Sequence, residues 1–264
     1  VSMSWLRPLG GTGLEVSALG LGAVKLGRNE GLKYPTGFDL PDDRSAAALL
    51  ALAHELGINL IDTAPAYGDS EERLGKLLRG QRQRWLLCSK VGEEFAAGQS
   101  RFDFSPEHAG ASVRRSLRRL QTEVLDLVLV HSNGADLAII NEMGTLQALQ
   151  QLKDEGLIRA FGMSTKTLAG GLAAAPHCDV LMLTYNPGQR EELPVLDACA
   201  DLNTAVLIKK ALASGHLDSS CDEDPVQTSL ELALSHPATS AVIIGTINPD
   251  HLRDNVAAAR RALG

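Results

Sequence analysis

The chain alternates short runs of β-branched and apolar residues with longer stretches in which apolar residues recur at helical spacing. This alternation is typical of βαβ units and of a parallel sheet. Strands are predicted at residues 18–21, 59–62, 85–89, 125–130, 159–163, 180–184, 205–209 and 241–244. Helices are predicted after them, at residues 43–56, 70–78, 105–120, 143–155, 165–174, 191–202, 225–235 and 249–262.

Residues at the ends of the predicted helices support these assignments. Ser105 and Asn248 each precede a proline and then a carboxylate, the combination expected of a cap, a first-turn proline and a favourable charge on the helix dipole. Gly57 and Gly156 each follow a predicted helix, where glycine readily adopts the left-handed conformation that ends it. The helices are therefore bounded by local signals as well as by periodicity.

Eight strand-then-helix repeats predict an α/β fold of the (β/α)₈ TIM barrel type. A doubly wound sheet would usually carry a GxGxxG loop after its first strand, and this sequence has none there. The segment 7–17, with Gly10 and Gly11, predicts an N-terminal β-hairpin placed to plug the barrel floor. A length of 264 residues suits one such domain, so residues 1–264 are expected to form a single domain.

Composition narrows the class of protein. The net charge is −7, and basic residues are scattered rather than clustered, which argues against a nucleic-acid partner. The longest apolar runs have the length of strands, so no membrane association is expected. The cysteines lack CxxC spacing and no apolar leader is seen, so we expect a cytoplasmic protein. They are Cys88, Cys178, Cys199 and Cys221.

Ionisable residues stand at the carboxyl ends of three consecutive predicted strands. Asp62 ends the second strand, Tyr67 lies in the loop after it, Lys90 follows the third strand and His131 follows the fourth. Taken singly, each is explained as well by a turn, a packed ring, a solvated amine or a hydrogen-bonded rim residue. Because barrel enzymes carry their active sites on this rim, the convergence of all four favours a catalytic site.

The segments NLIDTAPAYG, SKVG, LDLVLVHS and IIGTINPDHLRDN together resemble the aldo-keto reductases, and the chain looks like a short bacterial-type member. The resemblance spans nearly the whole chain. In that family an Asp, a Tyr, a Lys and a His form the catalytic group, and the matching positions here are Asp62, Tyr67, Lys90 and His131. The resemblance implies an NAD(P)-dependent oxidoreductase of the EC 1.1.1 type.

The chemistry of carbonyl reduction suits these four residue types, because hydride must reach carbon while a proton reaches oxygen. Tyr67 would act as the general acid. A phenol has an ordinary pKa of about 10, and Lys90 as a neighbouring cation would make it a more willing donor. Asp62 would keep the buried Lys90 charged, and His131 would orient the substrate oxygen.

The resemblance also implies a site for the nicotinamide end of NADP(H), with NAD(H) as the alternative. Ser164 and Thr165 stand where the family carries the Ser-Asn pair that grips the carboxamide. Met182 replaces the usual Gln, and Lys209 and Lys210 stand where relatives have a stacking aromatic. Further candidates around this end of the cofactor are Gly22, Ala23, Asp62, Leu212, Ser214 and Gly215.

The phosphate end of the cofactor is expected at the last helix. Gly245 and Thr246 lead into a helix N-terminus, whose backbone amides are suited to bind phosphate. His251 and Asn255 lie on its first turns. The family uses an Arg at the position of His251 to hold the 2′-phosphate of the adenosine; with His in its place, NADP(H) is still the expected cofactor and NAD(H) the alternative.

The leading hypothesis is a reductase of aldehydes or ketones, acting on a small carbonyl or alcohol as a monomer. The loop 25–40, with Arg28, Lys33, Tyr34 and Phe38, is expected to border the substrate. A redox sensor or regulatory subunit that binds the cofactor on the same fold is the alternative, favoured by the missing aromatic and Gln. A hydrolase or lyase with Lys90 as a Schiff-base nucleophile is a third, disfavoured by the neighbouring Asp62.

Overall fold

The computed structural model describes residues 4–32, 37–215 and 224–264. Its strands are β1 (Leu6–Pro8), β2 (Glu15–Ser17), β3 (Leu19–Gly22), β4 (Leu60–Asp62), β5 (Leu86–Val91), β6 (Glu93–Ala96), β7 (Gln99–Phe102), β8 (Leu125–His131), β9 (Ile158–Ser164), β10 (Val180–Thr184), β11 (Ala205–Lys209) and β12 (Thr239–Ile244). Its helices are α1 (Val24–Gly27), α2 (Asp43–Glu55), α3 (Ser70–Leu77), α4 (Pro106–Arg119), α5 (Asp136–Asn141), α6 (Thr145–Asp154), α7 (Leu168–Ala174), α8 (Leu193–Leu202), α9 (Pro225–Ser235) and α10 (Pro249–Leu263).

Eight of these strands form a closed parallel barrel, in the order β3, β4, β5, β8, β9, β10, β11 and β12. The last strand pairs with the first through Val242 and Leu19, which closes the ring. The predicted (β/α)₈ TIM barrel is therefore confirmed. Strands β8 and β9 run one residue further than predicted, and the extension makes His131 and Ser164 direct register neighbours at the rim.

The predicted N-terminal hairpin is confirmed and closes one end of the barrel. Strands β1 and β2 pair antiparallel, and Leu9, Leu14 and Val16 pack with the apolar side chains inside the barrel. The Ser240 hydroxyl donates to the Pro8 carbonyl at 2.7 Å and ties the hairpin to β12. The hairpin thus fills the end opposite the candidate catalytic rim, which is where the sequence analysis placed it.

The helix-end signals act as expected. Ser105 accepts from the His108 amide at 3.2 Å, and Asn248 accepts from the Asp250 amide at 2.8 Å. Gly57 and Gly156 have φ of 87° and 76°, the left-handed conformation that ends a helix. These contacts set the direction in which each helix leaves or enters the rim.

Two helices and two strands were not predicted: α1, α5 and the antiparallel pair β6 and β7. Some predicted helices also began too early. Helix α6 starts after Gly144, whose φ of 72° is incompatible with a helix interior, and α7 starts after Thr167, whose hydroxyl accepts from the Gly170 amide at 3.0 Å. Tertiary contacts and caps, rather than periodicity, decided these boundaries.

Backbone packing leaves no room for a side chain at Gly162 in β9. A Cβ there would lie 1.6 Å from the carbonyl oxygen of Val180. The close approach of β9 to β10 is therefore built on glycine, and it helps to position Ser164 two residues later.

Candidate active site

The carboxyl ends of the barrel strands open into a cavity of about 1740 Å³. Asp62, Tyr67, Lys90 and His131 all line this cavity. The structure therefore brings together all four residues that the sequence analysis singled out. Their common rim follows from the topology, because consecutive parallel strands end on the same side.

Lys90 is the hub of the cluster. Its Nζ donates to Asp62 Oδ1 at 2.6 Å, to the Thr63 carbonyl at 2.9 Å and to Tyr67 Oη at 3.1 Å. The Lys90 side chain is 1% exposed, and that of Asp62 is 5% exposed. An ammonium group has three hydrogens to donate, and each has an acceptor here. The amine is thus held in one orientation with its charge directed at the phenol.

The charge on Lys90 is stabilised by its neighbours. Burial is the largest single effect and would lower the pKa of the Lys90 amine, but the Asp62 carboxylate together with Tyr67 and Cys88 outweighs it, and the net pKa lies above the ordinary value. A Schiff-base nucleophile needs a neutral amine, so this direction disfavours the hydrolase or lyase hypothesis.

The phenol of Tyr67 is held in its protonated form. Burial raises the pKa of Tyr67, the Lys90 ammonium lowers it, and the net pKa lies above the ordinary value. Lys90 acts in the direction that we expected, but desolvation exceeds its effect. A phenol that stays protonated at neutral pH still has a proton to donate. An alkoxide can take this proton because it is a stronger base than a phenolate.

His131 stands beside Tyr67 and contacts a carboxylate that the sequence analysis missed. The rings of Tyr67 and His131 meet edge to face, with centroids 6.1 Å apart. His131 Nδ1 lies 2.9 Å from Glu93 Oε2. Burial lowers the pKa of His131 and Glu93 opposes that shift. Burial would raise the pKa of Glu93, but His131, Ser100 and Lys166 together lower it to about 2.

Glu93 reaches His131 because it begins the hairpin of β6 and β7. The turn of this hairpin consists of Ala97 and Gly98, with φ of 52° and 76°. A two-residue turn with glycine second is a recognisable hairpin signal, and it was present in the letters EFAAGQSRF. The Arg28 guanidinium carbon lies 3.4 Å from the centroid of the Phe95 ring and contributes to holding the hairpin against the rim.

The candidate cofactor residues mostly share the same cavity. Its lining includes Gly22, Asp62, Ser164, Thr165, Met182, Lys209, Lys210, Leu212, Gly215, Gly245, Thr246, His251 and Asn255. Ala23 is fully buried, with its amide donating to the Asp62 carbonyl at 2.8 Å. The side chain of Ser214 lies outside the described part of the structure. One continuous cavity thus joins the four candidate catalytic residues to the start of α10.

Lys209 occupies the position next to Ser164. Its Nζ donates to Ser164 Oγ at 2.8 Å and to the Thr165 carbonyl at 2.9 Å. Thr165 Oγ1 and Glu192 Oε1 are buried and have no hydrogen-bond partner among the described residues. Glu192 Oε2 accepts from the Thr184 amide at 2.7 Å. This end of the cavity therefore has polar groups ready for a ligand that both donates and accepts, as a carboxamide does.

The predicted substrate loop borders the cavity where it is described. Arg28 and Phe38 line it, and the Arg28 guanidinium donates to the Ala66 carbonyl at 3.0 Å. Lys33 and Tyr34 lie outside the described residues.

The described residues contain neither a metal-binding cluster nor a membrane-spanning helix. Within residues 4–32, 37–215 and 224–264, there is no group of three or more His, Cys, Asp or Glu side chains that could hold a metal ion. In the same ranges, every helix is too short or too polar to cross a membrane. Cys88, Cys178 and Cys199 are free thiols, and Cys221 lies outside these ranges.

The sequence model of the Aldo/keto reductase family matches residues 18–227. The chain belongs to this family. A solved structure of a Pseudomonas aeruginosa protein assigned to the aldo-keto reductases has a TM-score of 0.90 and 53% identity, covering 100% of this chain and 98% of that one. The uncharacterized oxidoreductase YqkF of Bacillus subtilis is 28% identical over 292 residues, covering 96% of this chain and 90% of that protein.

The L-galactose dehydrogenase of Arabidopsis thaliana is 40% identical over 166 residues, which are 60% of this chain and 48% of that protein. Family membership implies an oxidoreductase, and it supports NAD(P)H-dependent carbonyl reduction as the general chemistry.

Proposed function

We propose that this aldo-keto reductase reduces small aldehydes or ketones to alcohols with NADPH, and less readily with NADH. The observation that carries the proposal is the set of hydrogen bonds from Lys90 to Asp62, Thr63 and Tyr67, since Lys90, Asp62 and Tyr67 all line one large cavity. The reaction consumes a carbonyl, a reduced nicotinamide and a proton, and it yields an alcohol and the oxidised nicotinamide. We expect the enzyme to work as a monomer in the cytoplasm.

The residues in the cavity fit a nicotinamide dinucleotide, which would supply the hydride when bound. Ser164 and Thr165 have hydroxyl groups that could bind the carboxamide. The Thr165 hydroxyl is buried and has no hydrogen-bond partner among the described residues. Gly245, Thr246 and His251 line the cavity beside the first turn of α10, where backbone amides suit a phosphate. The ligand therefore has matching groups at both of its polar ends.

The protein itself handles the proton. Tyr67 Oη donates its hydrogen to the substrate oxygen as negative charge develops there. Lys90 keeps its charge throughout, because Asp62 remains within 2.6 Å, and it stabilises the phenolate that Tyr67 becomes. Afterwards Tyr67 regains a proton from solvent through the open cavity.

His131 contributes in a way that depends on its protonation. The imidazolium can donate a hydrogen bond to a carbonyl oxygen, whereas a neutral ring whose proton faces Glu93 can only accept from a hydroxyl. Glu93 favours the imidazolium because its carboxylate lies 2.9 Å from Nδ1. The pair thus suits either direction of the reaction, with the carbonyl better served by the charged form.

A cofactor-binding sensor on the same fold is the second candidate. It is favoured by two departures from the family pattern. Met182 cannot hydrogen-bond a carboxamide as Gln does, and Ser164 Oγ already accepts a hydrogen bond from the Lys209 amine. Binding of the cofactor without turnover would be its signature.

The decisive experiment compares the wild type with Tyr67→Phe. NADPH and NADH are titrated by fluorescence, and oxidation of each cofactor is then followed with a panel of aldehydes that includes short aldoses. We expect tighter binding of NADPH, and a loss in turnover of roughly 100-fold to 10,000-fold in Tyr67→Phe. Tyr185→Phe removes a hydroxyl from a buried ring in the outer core and serves as the matched control, with turnover unchanged.

The outcomes separate the hypotheses. Cofactor binding without reduction of any aldehyde and without oxidation of any alcohol would favour the sensor. Equal turnover in the wild type and Tyr67→Phe would refute Tyr67 as the acid. Failure to bind either cofactor would refute the proposed function altogether.

A further inference from the structure

The cavity wall next to the catalytic cluster carries a second lysine. Lys209 ends β11, and its amine reaches across β10 to Ser164 and Thr165 at the end of β9. Ser164 is in turn the register neighbour of His131 on β8. The Lys209 amine therefore contacts Ser164, Ser164 lies beside His131, and the His131 ring meets the ring of Tyr67.

This position places Lys209 at the hydride-transferring end of the bound cofactor, an argument that rests on the proposed function. Hydride and proton are delivered to the two atoms of one carbonyl bond, so the nicotinamide has to lie within a few Å of Tyr67 and His131. Ser164, Thr165 and Lys209 line the same cavity as these two residues, and Ser164 is the register neighbour of His131. A cation thus stands where the charge of the cofactor changes during the reaction.

The two redox states of the cofactor differ by one charge at that ring. The oxidised nicotinamide is a cation, and the reduced ring is neutral. Phosphates and ribose are common to both, so their attraction to any lysine cancels when the two affinities are compared. What Lys209 adds to the difference between the two affinities is the repulsion between its ammonium and the cationic oxidised ring in a partly desolvated cavity.

We propose that the Lys209 ammonium makes this site discriminate between the redox states of the nicotinamide, binding the reduced form more tightly than the oxidised one. The discrimination lowers the affinity for the oxidised product and so favours its release after carbonyl reduction. Lys209 is here a specificity-determining residue for the cofactor rather than a participant in the proton transfer.

The electrostatic surroundings of Lys209 support a charge that can be switched. Burial lowers the pKa of the Lys209 amine to about 8, with Glu192 opposing and Lys210, Lys166 and Lys90 adding to the decrease. Lys209 in turn contributes to the low pKa of His131. Its amine is charged below about pH 8, so the discrimination is expected at neutral pH and fades as the pH rises above that value.

The test is a binding experiment that needs no turnover. Isothermal titration calorimetry gives the Kd of NADP⁺ and of NADPH for the full-length protein, and the ratio of the two is compared between wild type and Lys209→Met. At pH 6.5 we expect the preference for NADPH to shrink by roughly tenfold to a hundredfold in Lys209→Met. Lys209→Arg retains the charge and should retain the preference.

Two further measurements keep the proposal falsifiable. Lys76→Met removes the same charge from an exposed position on α3 and should leave the ratio unchanged, which controls for net charge. In the wild type, the ratio should fall towards one between pH 6.5 and pH 9.5 at constant ionic strength, a result that does not depend on any variant folding.

The outcomes for this proposal differ from those for the proposed function. If both cofactors bind and their affinity ratio is the same in wild type and Lys209→Met, the discrimination is refuted while the reductase remains. A wild-type ratio that does not change with pH refutes it equally. If neither cofactor binds the wild type, both the proposed function and the proposed role of Lys209 are refuted.

Discussion

Replacing Asp62 by Asn should leave a buried ammonium without its countercharge. The substitution keeps the shape of the side chain and an oxygen that can still accept a hydrogen bond. Lys90 also keeps the Thr63 carbonyl and the Tyr67 hydroxyl as acceptors, at 2.9 and 3.1 Å. The change therefore isolates the charge of the carboxylate from the packing of the site.

The expected loss of stability follows from the geometry. At the observed separation of 2.6 Å, two unit charges attract by about 6 kcal/mol at an effective dielectric constant of about 20. Part of this is recovered because the amide oxygen still accepts, and removal of one partner of a buried pair typically costs about 3–5 kcal/mol. We expect Asp62→Asn to lower the free energy of unfolding by that amount at neutral pH.

The loss should depend on pH with a defined sign. In the variant, burial is no longer offset by a carboxylate and lowers the pKa of Lys90 below its unfolded value of about 10.4. Between the two pKa values, Lys90 is protonated in the unfolded chain but not in the folded chain. The free energy of unfolding therefore falls as the pH falls from about 10 towards the new pKa. The slope approaches about 1.4 kcal/mol per pH unit. In the wild type the pKa of Lys90 is raised, so this group contributes no such slope below pH 10.

Urea denaturation followed by circular dichroism at several pH values measures both effects. Asp69→Asn, an exposed aspartate on the same loop, is the matched control and should change stability by less than about 0.5 kcal/mol. The double variant Asp62→Asn with Lys90→Met should regain most of the stability, because the buried charge is gone. A double variant no more stable than Asp62→Asn alone would show that the uncompensated charge is not the cause.

Two other substitutions test the rim and the barrel. Glu93→Gln should lower the pKa of His131 further, because the opposing carboxylate is removed. We expect kcat/KM for carbonyl reduction to fall by roughly tenfold and its pH profile to move to lower pH. A pH profile that does not move would contradict the pairing of Glu93 with His131. Gly162→Ala should lower the free energy of unfolding, measured by urea denaturation, by more than about 4 kcal/mol, since the added carbon would lie 1.6 Å from the Val180 carbonyl oxygen. Gly110→Ala within α4 is the control and should raise the free energy of unfolding by up to about 1 kcal/mol. Equal stability of the two alanine variants would rule out the steric argument.

Much of the fold was open to prediction from the sequence because its signals are local. Strand and helix periods, the caps at Ser105 and Asn248, and the glycines after two helices are read from neighbouring residues. A parallel barrel then brings the ends of successive strands to one rim, so the meeting of Asp62, Tyr67, Lys90 and His131 follows from topology. The hairpin of β6 and β7 was missed although its turn signal was present, because most of its side chains are exposed and show little apolar alternation.

The order of residues in this chain thus determined the barrel, its hairpin plug and which four candidate catalytic residues meet at one rim. Only the tertiary structure decided that Glu93 faces His131, that the Lys209 amine binds Ser164, and that burial carries the pKa of Tyr67 above its ordinary value. Those features depend on side chains from distant segments and on how far packing removes them from water. Desolvation and charge act through space, and neither is encoded in the spacing of residues along the chain.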